Sequence, residues 1–266
     1  ADLQTTHLDL CPSGAATPML LWHCHDTFQR MVRPAPAGGI AVVIDVLRAS
    51  TTMITALAHG AARMVPVADV DEARNRAARL APPTLLGGER GGIRIPGFDL
   101  GNSPLEYTAD RVARQTVVIT TTNGTAALHA CRGAREILIG GIVNRTAVAK
   151  TIRRLGRDGE AVHLVCAGTN GLVTAEDVLA AGAILDAAGV DQADDLLDES
   201  ARAAVTFFRR VAMSGDPTAA LVAEFRHSPG GANLIALGME ADLPVAAAID
   251  TFTIVPRFDS ASESLL

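Results

Sequence analysis

Ile40-Ala-Val-Val-Ile-Asp45-Val-Leu-Arg48-Ala-Ser-Thr-Thr52-Met-Ile-Thr-Ala-Leu-Ala58 decides the fold. Ile40 to Ile44 is a short apolar run, β-branched apart from Ala41 and preceded by Gly38-Gly39, so it reads as a buried strand. The segment from Met53 onward reads as a helix. Asp45, Arg48, Ser50 and Thr51 therefore fall where a strand hands over to a helix, the place where α/β proteins bind ligands. An Asp there can hold a hard cation, and an Arg beside it can grip a phosphate or carboxylate in a bidentate fork. Ser50 and Thr51 are expected to cap the helix and leave its first amides facing an anion. The plainer alternative is a capped turn with an Asp–Arg surface pair.

Two further stretches repeat the arrangement. Val117 to Thr120 is a strand that runs into Thr121-Thr122-Asn123-Gly124 and a helix from Ala126 to Cys131. Val162 to Cys166 is a strand that opens into Ala167-Gly168-Thr169 and a helix around Glu176-Asp177. Hydroxyls and turn amides with little charge suit an oxyanion cradle. Glu176 and Asp177 diverge by about 100° on a helix, so at most one is expected to face the corner. Thr84 to Gly87 is a shorter strand that ends in Gly88-Glu89-Arg90-Gly91-Gly92, where glycines flank an acid–base pair. A loop carrying Asp99, Asn102 and Pro104 follows. No GxGxxG spacing occurs, so a dinucleotide fingerprint is not supported.

Elsewhere, Asp69 is expected to cap a helix from Val70 to Leu80, and Asn144 one from Arg145 to Leu155. Residues 180–213 read as helical. His7 to Leu10 reads as a first strand, and Val245 to Phe252 as a helix or strand. His23-Cys24-His25 has the look of a metal cluster, but adjacent strand residues point to opposite faces.

The 266 residues are 48% hydrophobic and 20% charged, which allows one sizeable α/β domain, or two lobes with a boundary near residues 140–160. Aromatics are only 3% and the net charge is −6, which argues against a nucleic-acid partner. The four cysteines match no zinc spacing or disulfide framework, and Cys166 reads as a buried structural thiol. No apolar run is long enough to span a membrane. The expectation is a cytoplasmic protein with reduced thiols that acts on a small anionic substrate, with a homodimer as its assembly.

Taken together, Ile44-Asp-Val-Leu-Arg-Ala-Ser-Thr-Thr52, Gly88-Glu-Arg90, Gly97-Phe-Asp-Leu-Gly-Asn-Ser-Pro104, Thr120-Thr-Thr-Asn-Gly-Thr125 and Cys166-Ala-Gly-Thr169 resemble the 2-phosphosulfolactate phosphatase family of coenzyme M biosynthesis. The likeness covers about residues 40–180, with a weaker echo in the tail at Gly238, Asp242 and Asp250-Thr-Phe-Thr-Ile-Val-Pro256. It implies a three-layer α/β/α fold with a mostly parallel or mixed sheet, and Mg²⁺-dependent hydrolysis of the phosphate ester of a small acid. Asp45 would be a Mg²⁺ ligand or the nucleophile, and Arg48 would grip the phosphate. Glu89 and Asp177 would complete the metal shell. Ser50, Thr51, Asn102, Thr121, Thr122, Asn123, Gly124 and Thr169 would line the substrate, and Arg90 would pair with its acid group. A non-catalytic binder of a phosphorylated acid, and a metal-dependent lyase or isomerase, are the competing classes.

Overall fold

The computed structural model of the protein describes residues 19–26, 38–169, 171–191 and 195–266. The described chain runs β1 (Leu20–Asp26), β2 (Ile40–Ile44), α1 (Ala49–Ala58), β3 (Arg63–Pro66), α2 (Val70–Arg79), β4 (Thr84–Arg90), β5 (Ile93–Arg94), α3 (Ala109–Val112), β6 (Thr116–Thr120) and α4 (Gly124–Ala130). It continues through β7 (Glu136–Gly140), α5 (Arg145–Leu155), β8 (Glu160–Cys166), α6 (Ala175–Ala187), α7 (Glu199–Ala212), α8 (Pro217–His227), α9 (Pro229–Ala236) and α10 (Asp242–Ala247) to the short β9 (Phe258–Asp259) and β10 (Ser264–Leu265).

The fold is the expected three-layer α/β type, but its strands form two sheets rather than one. The first has the order β1-β8-β2-β7 and is wholly parallel. The second has the order β5-β4-β6-β3-β10-β9, with β4, β6 and β3 parallel and the other strands antiparallel. After β2 the chain leaves the first sheet, builds most of the second, and returns at β7.

Strand β2 shows why both faces of the first sheet are covered. Its side chains alternate, as the pleat requires. Ile40, Val42 and Ile44 enter a core with α5, α6 and α7, whereas Ala41 and Val43 enter a second core with α1, α4 and strands of the other sheet. Val65, Val118 and Ala73 build a third core between the second sheet and α2. A parallel strand buried on both sides reads as a continuous apolar run, which is what Ile40 to Ile44 is.

Local signals hold at several ends. The Asp69 carboxylate accepts the Glu72 amide at 2.8 Å and caps α2. Asn144 stands at the N-cap of α5, but its side chain turns to Gly141, Ile139 and Ile254 instead of capping. β4 continues past Gly87 through Arg90 because β5 pairs with it, Glu89 opposite Arg94, across Gly91 and Gly92 at φ 60° and 88°. The helical stretch expected over 180–213 is broken in two: α6 ends by Gly189 at φ 66°, and Asp198 caps α7 by accepting the Ala201 amide at 2.7 Å. In the tail, α10 ends at Ala247 and residues 248–256 run without regular structure. His7 to Leu10 lies outside the described residues, as does the His25 side chain; His23 stacks on His163 with ring centroids 5.4 Å apart. No helix among the described residues is long and apolar enough to cross a membrane.

Candidate active site

The carboxyl ends of β2, β4, β6 and β8 bring the charged and hydroxyl corners together. At the end of β2, Asp45 Oδ1 accepts the first amide of α1, Ala49 N–H, at 3.1 Å. The Asp45 amide donates to Ser50 Oγ at 2.8 Å. The expectation that Ser50 and Thr51 cap the helix is therefore corrected: Asp45 takes the first amide, and α1 begins before both residues. Their hydroxyls point back into the turn, Ser50 to the Val43 carbonyl at 3.3 Å and Thr51 to the Val46 carbonyl at 2.8 Å. Both are buried and hold the corner rather than line its mouth.

Five buried acids surround this corner: Asp45, Glu89, Glu176, Asp177 and Asp242. Burial pushes the Asp45 carboxyl up to about 7, and the negative charges of Glu89 and Glu176 add to the rise. The Ala49 amide and the Arg48 charge oppose it. Asp177 is also raised, by burial and then by Glu176 and Asp45. Gly124, the first residue of α4, packs its backbone directly against this corner. A Cβ at 124 would stand 2.7 Å from Asp45 Oδ2 and 2.5 Å from the Ala49 side chain.

Each remaining acid is held differently. Glu89 accepts the Thr122 amide at 2.8 Å, the Thr122 hydroxyl at 3.2 Å and the Gly92 amide at 2.7 Å. Asp177 accepts the Val46 amide at 2.8 Å and the Gly168 amide at 2.9 Å, so its two oxygens tie the β2 and β8 corners together. Asp242 pairs with Arg48 at 2.8 Å and accepts the Ser103 hydroxyl at 2.5 Å. The same guanidinium donates to the Gly92 carbonyl at 2.7 Å and contacts the Met239 sulfur at 2.9 Å. Arg90 is half-buried and donates to the Glu89 carbonyl at 2.7 Å and the Thr120 hydroxyl at 3.0 Å; neither bond uses an acid.

Asp45, Arg48, Glu89, Arg90, Thr121, Thr122 and Gly124 thus come together, but the expectation that Arg48 grips the phosphate is corrected: its guanidinium is buried and taken up by Asp242, the Gly92 carbonyl and Met239. Asn102 is buried nearby with its Oδ1 unpartnered, and the Thr52 hydroxyl donates to its main-chain carbonyl at 2.7 Å. Asn123 sits at the N-cap of α4 without a capping bond, and Thr169 bridges Leu172 through the main chain. Glu176 and Asp177 are both buried at the corner, contrary to the expectation that one would turn away, because α6 is covered on both sides. Cys166 is a buried thiol at the same strand end. Sequence did not single out Glu176 as a site group, and it marked Asp242 only as part of the tail.

Among the described residues, no three His, Cys, Asp or Glu side chains are grouped closely enough to hold a metal ion alone. Asp177, expected in a metal shell, spends its two oxygens tying the β2 and β8 corners together; Glu89 also accepts an amide on each oxygen, so it would reach a cation only through the remaining lone pairs. The oxygen-only chemistry of Asp45 and Glu89 fits a hard cation that takes one or two carboxylates and completes its shell with water and phosphate oxygens.

With its buried acids, arginines and hydroxyl turns at parallel strand ends, the chain is an α/β enzyme of the phosphoric monoester hydrolase class. The family model described as 2-phosphosulpholactate phosphatase matches residues 27–261, and the chain belongs to that family. It is 44% identical over 218 residues to a protein of Deinococcus radiodurans named probable 2-phosphosulfolactate phosphatase, covering 82% of this chain and 86% of that protein. A protein of the same name from Symbiobacterium thermophilum is 43% identical over 234 residues, 86% of this chain and 95% of the other.

Proposed function

We propose that the chain hydrolyses 2-phosphosulfolactate to sulfolactate and inorganic phosphate, with Mg²⁺ as cofactor, as a cytoplasmic step of coenzyme M biosynthesis. The observation that carries this reading is the meeting of buried Asp45, Glu89 and Arg48 with half-buried Arg90 at the strand ends, in a chain of this family. Asp45 and Glu89 would hold the ion, which supplies charge neutralisation for the phosphoryl group when bound. Thr121 and Thr122, in the turn before Gly124, offer polar groups to the phosphate oxygens. Arg90 has donors beyond the two it uses and takes the substrate's second anionic group. Arg48, locked to Asp242, holds the Gly92 hairpin that presents Glu89.

Two measurements test this. Phosphate release from 2-phosphosulfolactate should vanish on exhaustive chelation and return with Mg²⁺; full activity in the stripped protein rejects the cation. Arg90→Ala should lower kcat/KM for 2-phosphosulfolactate by the equivalent of about 2–4 kcal/mol. It should barely change hydrolysis of an aryl phosphate with no second charge. Equal losses on both substrates would put Arg90 on the phosphate instead.

A further inference from the structure

Helix α6 begins behind Thr174, which occupies the N-cap position without capping through its side chain. Thr174 is 1% exposed, and its Oγ1 has no hydrogen-bond partner in the protein. Two residues on, Glu176 is 2% exposed, and its Oε2 has none either. Only five buried side-chain polar atoms among the described residues lack a partner, so two at one helix start need a cause. An unsatisfied buried polar atom costs about 1–3 kcal/mol. The two groups are complementary, since a hydroxyl both donates and accepts whereas a carboxylate accepts.

Burial raises the Glu176 carboxyl, and the Ser228 and Thr174 hydroxyls are near enough to oppose the rise. Yet no hydrogen bond joins Thr174 to Glu176. Two polar groups that are close but unbonded, in a buried polar setting, define a place for one bridging water. Gly230 forms the opposite wall. A Cβ there would stand 2.5 Å from Glu176 Oε1 and 3.6 Å from the Leu47 side chain, so Gly230 closes over Oε1 and leaves Oε2 as the oxygen for the water. Leu47 lies between Asp45 and Arg48 in the chain, and the Glu176 charge is felt at Asp45. The Glu176 carboxylate therefore borders the site, whereas Asp177 braces the corner behind it.

Resting on the phosphatase reading, we propose that Glu176 and Thr174 are catalytic residues that hold and orient the hydrolytic water. Thr174 Oγ1 donates to the water oxygen, and the water donates to Glu176 Oε2. A lone pair of the water oxygen forms the new bond to phosphorus. The ester P–O bond breaks with its electron pair on the hydroxy-acid oxygen, which takes a proton from solvent. The water's proton passes to Glu176 Oε2 and from there to solvent.

The test uses the full chain with Mg²⁺ and three variants, Glu176→Gln, Thr174→Val and Thr174→Ser. One readout is a high-resolution crystal structure of the unsubstituted protein. The other is exchange of ¹⁸O from water into inorganic phosphate, which needs no organic substrate, beside hydrolysis of 2-phosphosulfolactate. The expected result is a water bonded to both Glu176 Oε2 and Thr174 Oγ1. Exchange and kcat should fall about 100-fold in Glu176→Gln and Thr174→Val, with near-normal rates in Thr174→Ser. KM should stay within about threefold, since the water's holder leaves ground-state binding alone. A dry gap, or Glu176→Gln exchanging at the unsubstituted rate, overturns the proposal. If the unsubstituted protein exchanges ¹⁸O into phosphate but leaves 2-phosphosulfolactate intact, the substrate reading fails and the water's role stands. If it does neither, both fall.

Discussion

Asp45→Asn should leave a folded protein whose phosphate release is lower by about three orders of magnitude, or roughly 4 kcal/mol of barrier. Asp45 stands at the end of the most buried strand, with Oδ1 on the Ala49 amide and Oδ2 on the side of Gly124. Asn at 45 keeps the oxygen that accepts the Ala49 amide and loses the charge a cation needs. Stability moves the other way. The folded-state pKa of Asp45 is raised from 3.8 to about 7, so the folded protein holds that proton more tightly than the unfolded chain does. The stabilising effect is full below pH 3.8 and is lost as pH rises through 7. Above that pH the metal-free protein carries a buried charge that Asn removes. At pH 8, in chelator, Asp45→Asn should therefore be the more stable protein, by on the order of 2–4 kcal/mol, and the gap should close as pH falls toward 4. Thermal unfolding at several pH values measures this. A variant that is active but less stable would reduce Asp45 to a capping residue.

What the sequence discloses here is local, and what it hides is long-range. β2, β6 and β8 are legible because buried parallel strands leave unbroken runs such as Ile40 to Ile44. The Asp69 cap is legible because donor and acceptor lie three residues apart. The division into two sheets is not, because it rests on pairings such as Leu265 with Met64, which no local pattern encodes. Ser50 and Thr51 mislead because a hydroxyl before an apolar run resembles a cap, and here the acid five residues before Ser50 reaches the first amide instead. Angular spacing separates Glu176 from Asp177 but gives no sign that α9 covers the side where Glu176 lies, against Gly230. The family motifs point to the right corners, yet Thr174 and Asp242 gain their meaning only from what folds against them.

The Arg48–Asp242 pair joins residues 194 positions apart, and its side chains are 3% and 2% exposed. Taking two charges out of water is expensive, and a buried pair repays that only while both partners stay. Arg48→Met should strand the Asp242 carboxylate with the Ser103 hydroxyl, and Asp242→Leu should strand the guanidinium with the Gly92 carbonyl and the Met239 sulfur. Each single variant should lose about 3–5 kcal/mol in denaturant unfolding. The double variant replaces the pair with apolar groups of similar length and should recover to within about 1–2 kcal/mol of the parent, a coupling of several kcal/mol. Its activity should not recover. Arg48 holds the Gly92 carbonyl while the Gly92 amide holds Glu89, so without the guanidinium the hairpin no longer fixes that carboxylate. A displacement near 1 Å at a reacting group costs about 100-fold, so kcat/KM of the double variant should stay lower by that order. Additive stability losses would show that the two charges do not depend on one another. A stable double variant with full turnover would make the pair architectural and free Glu89 of any reliance on Arg48.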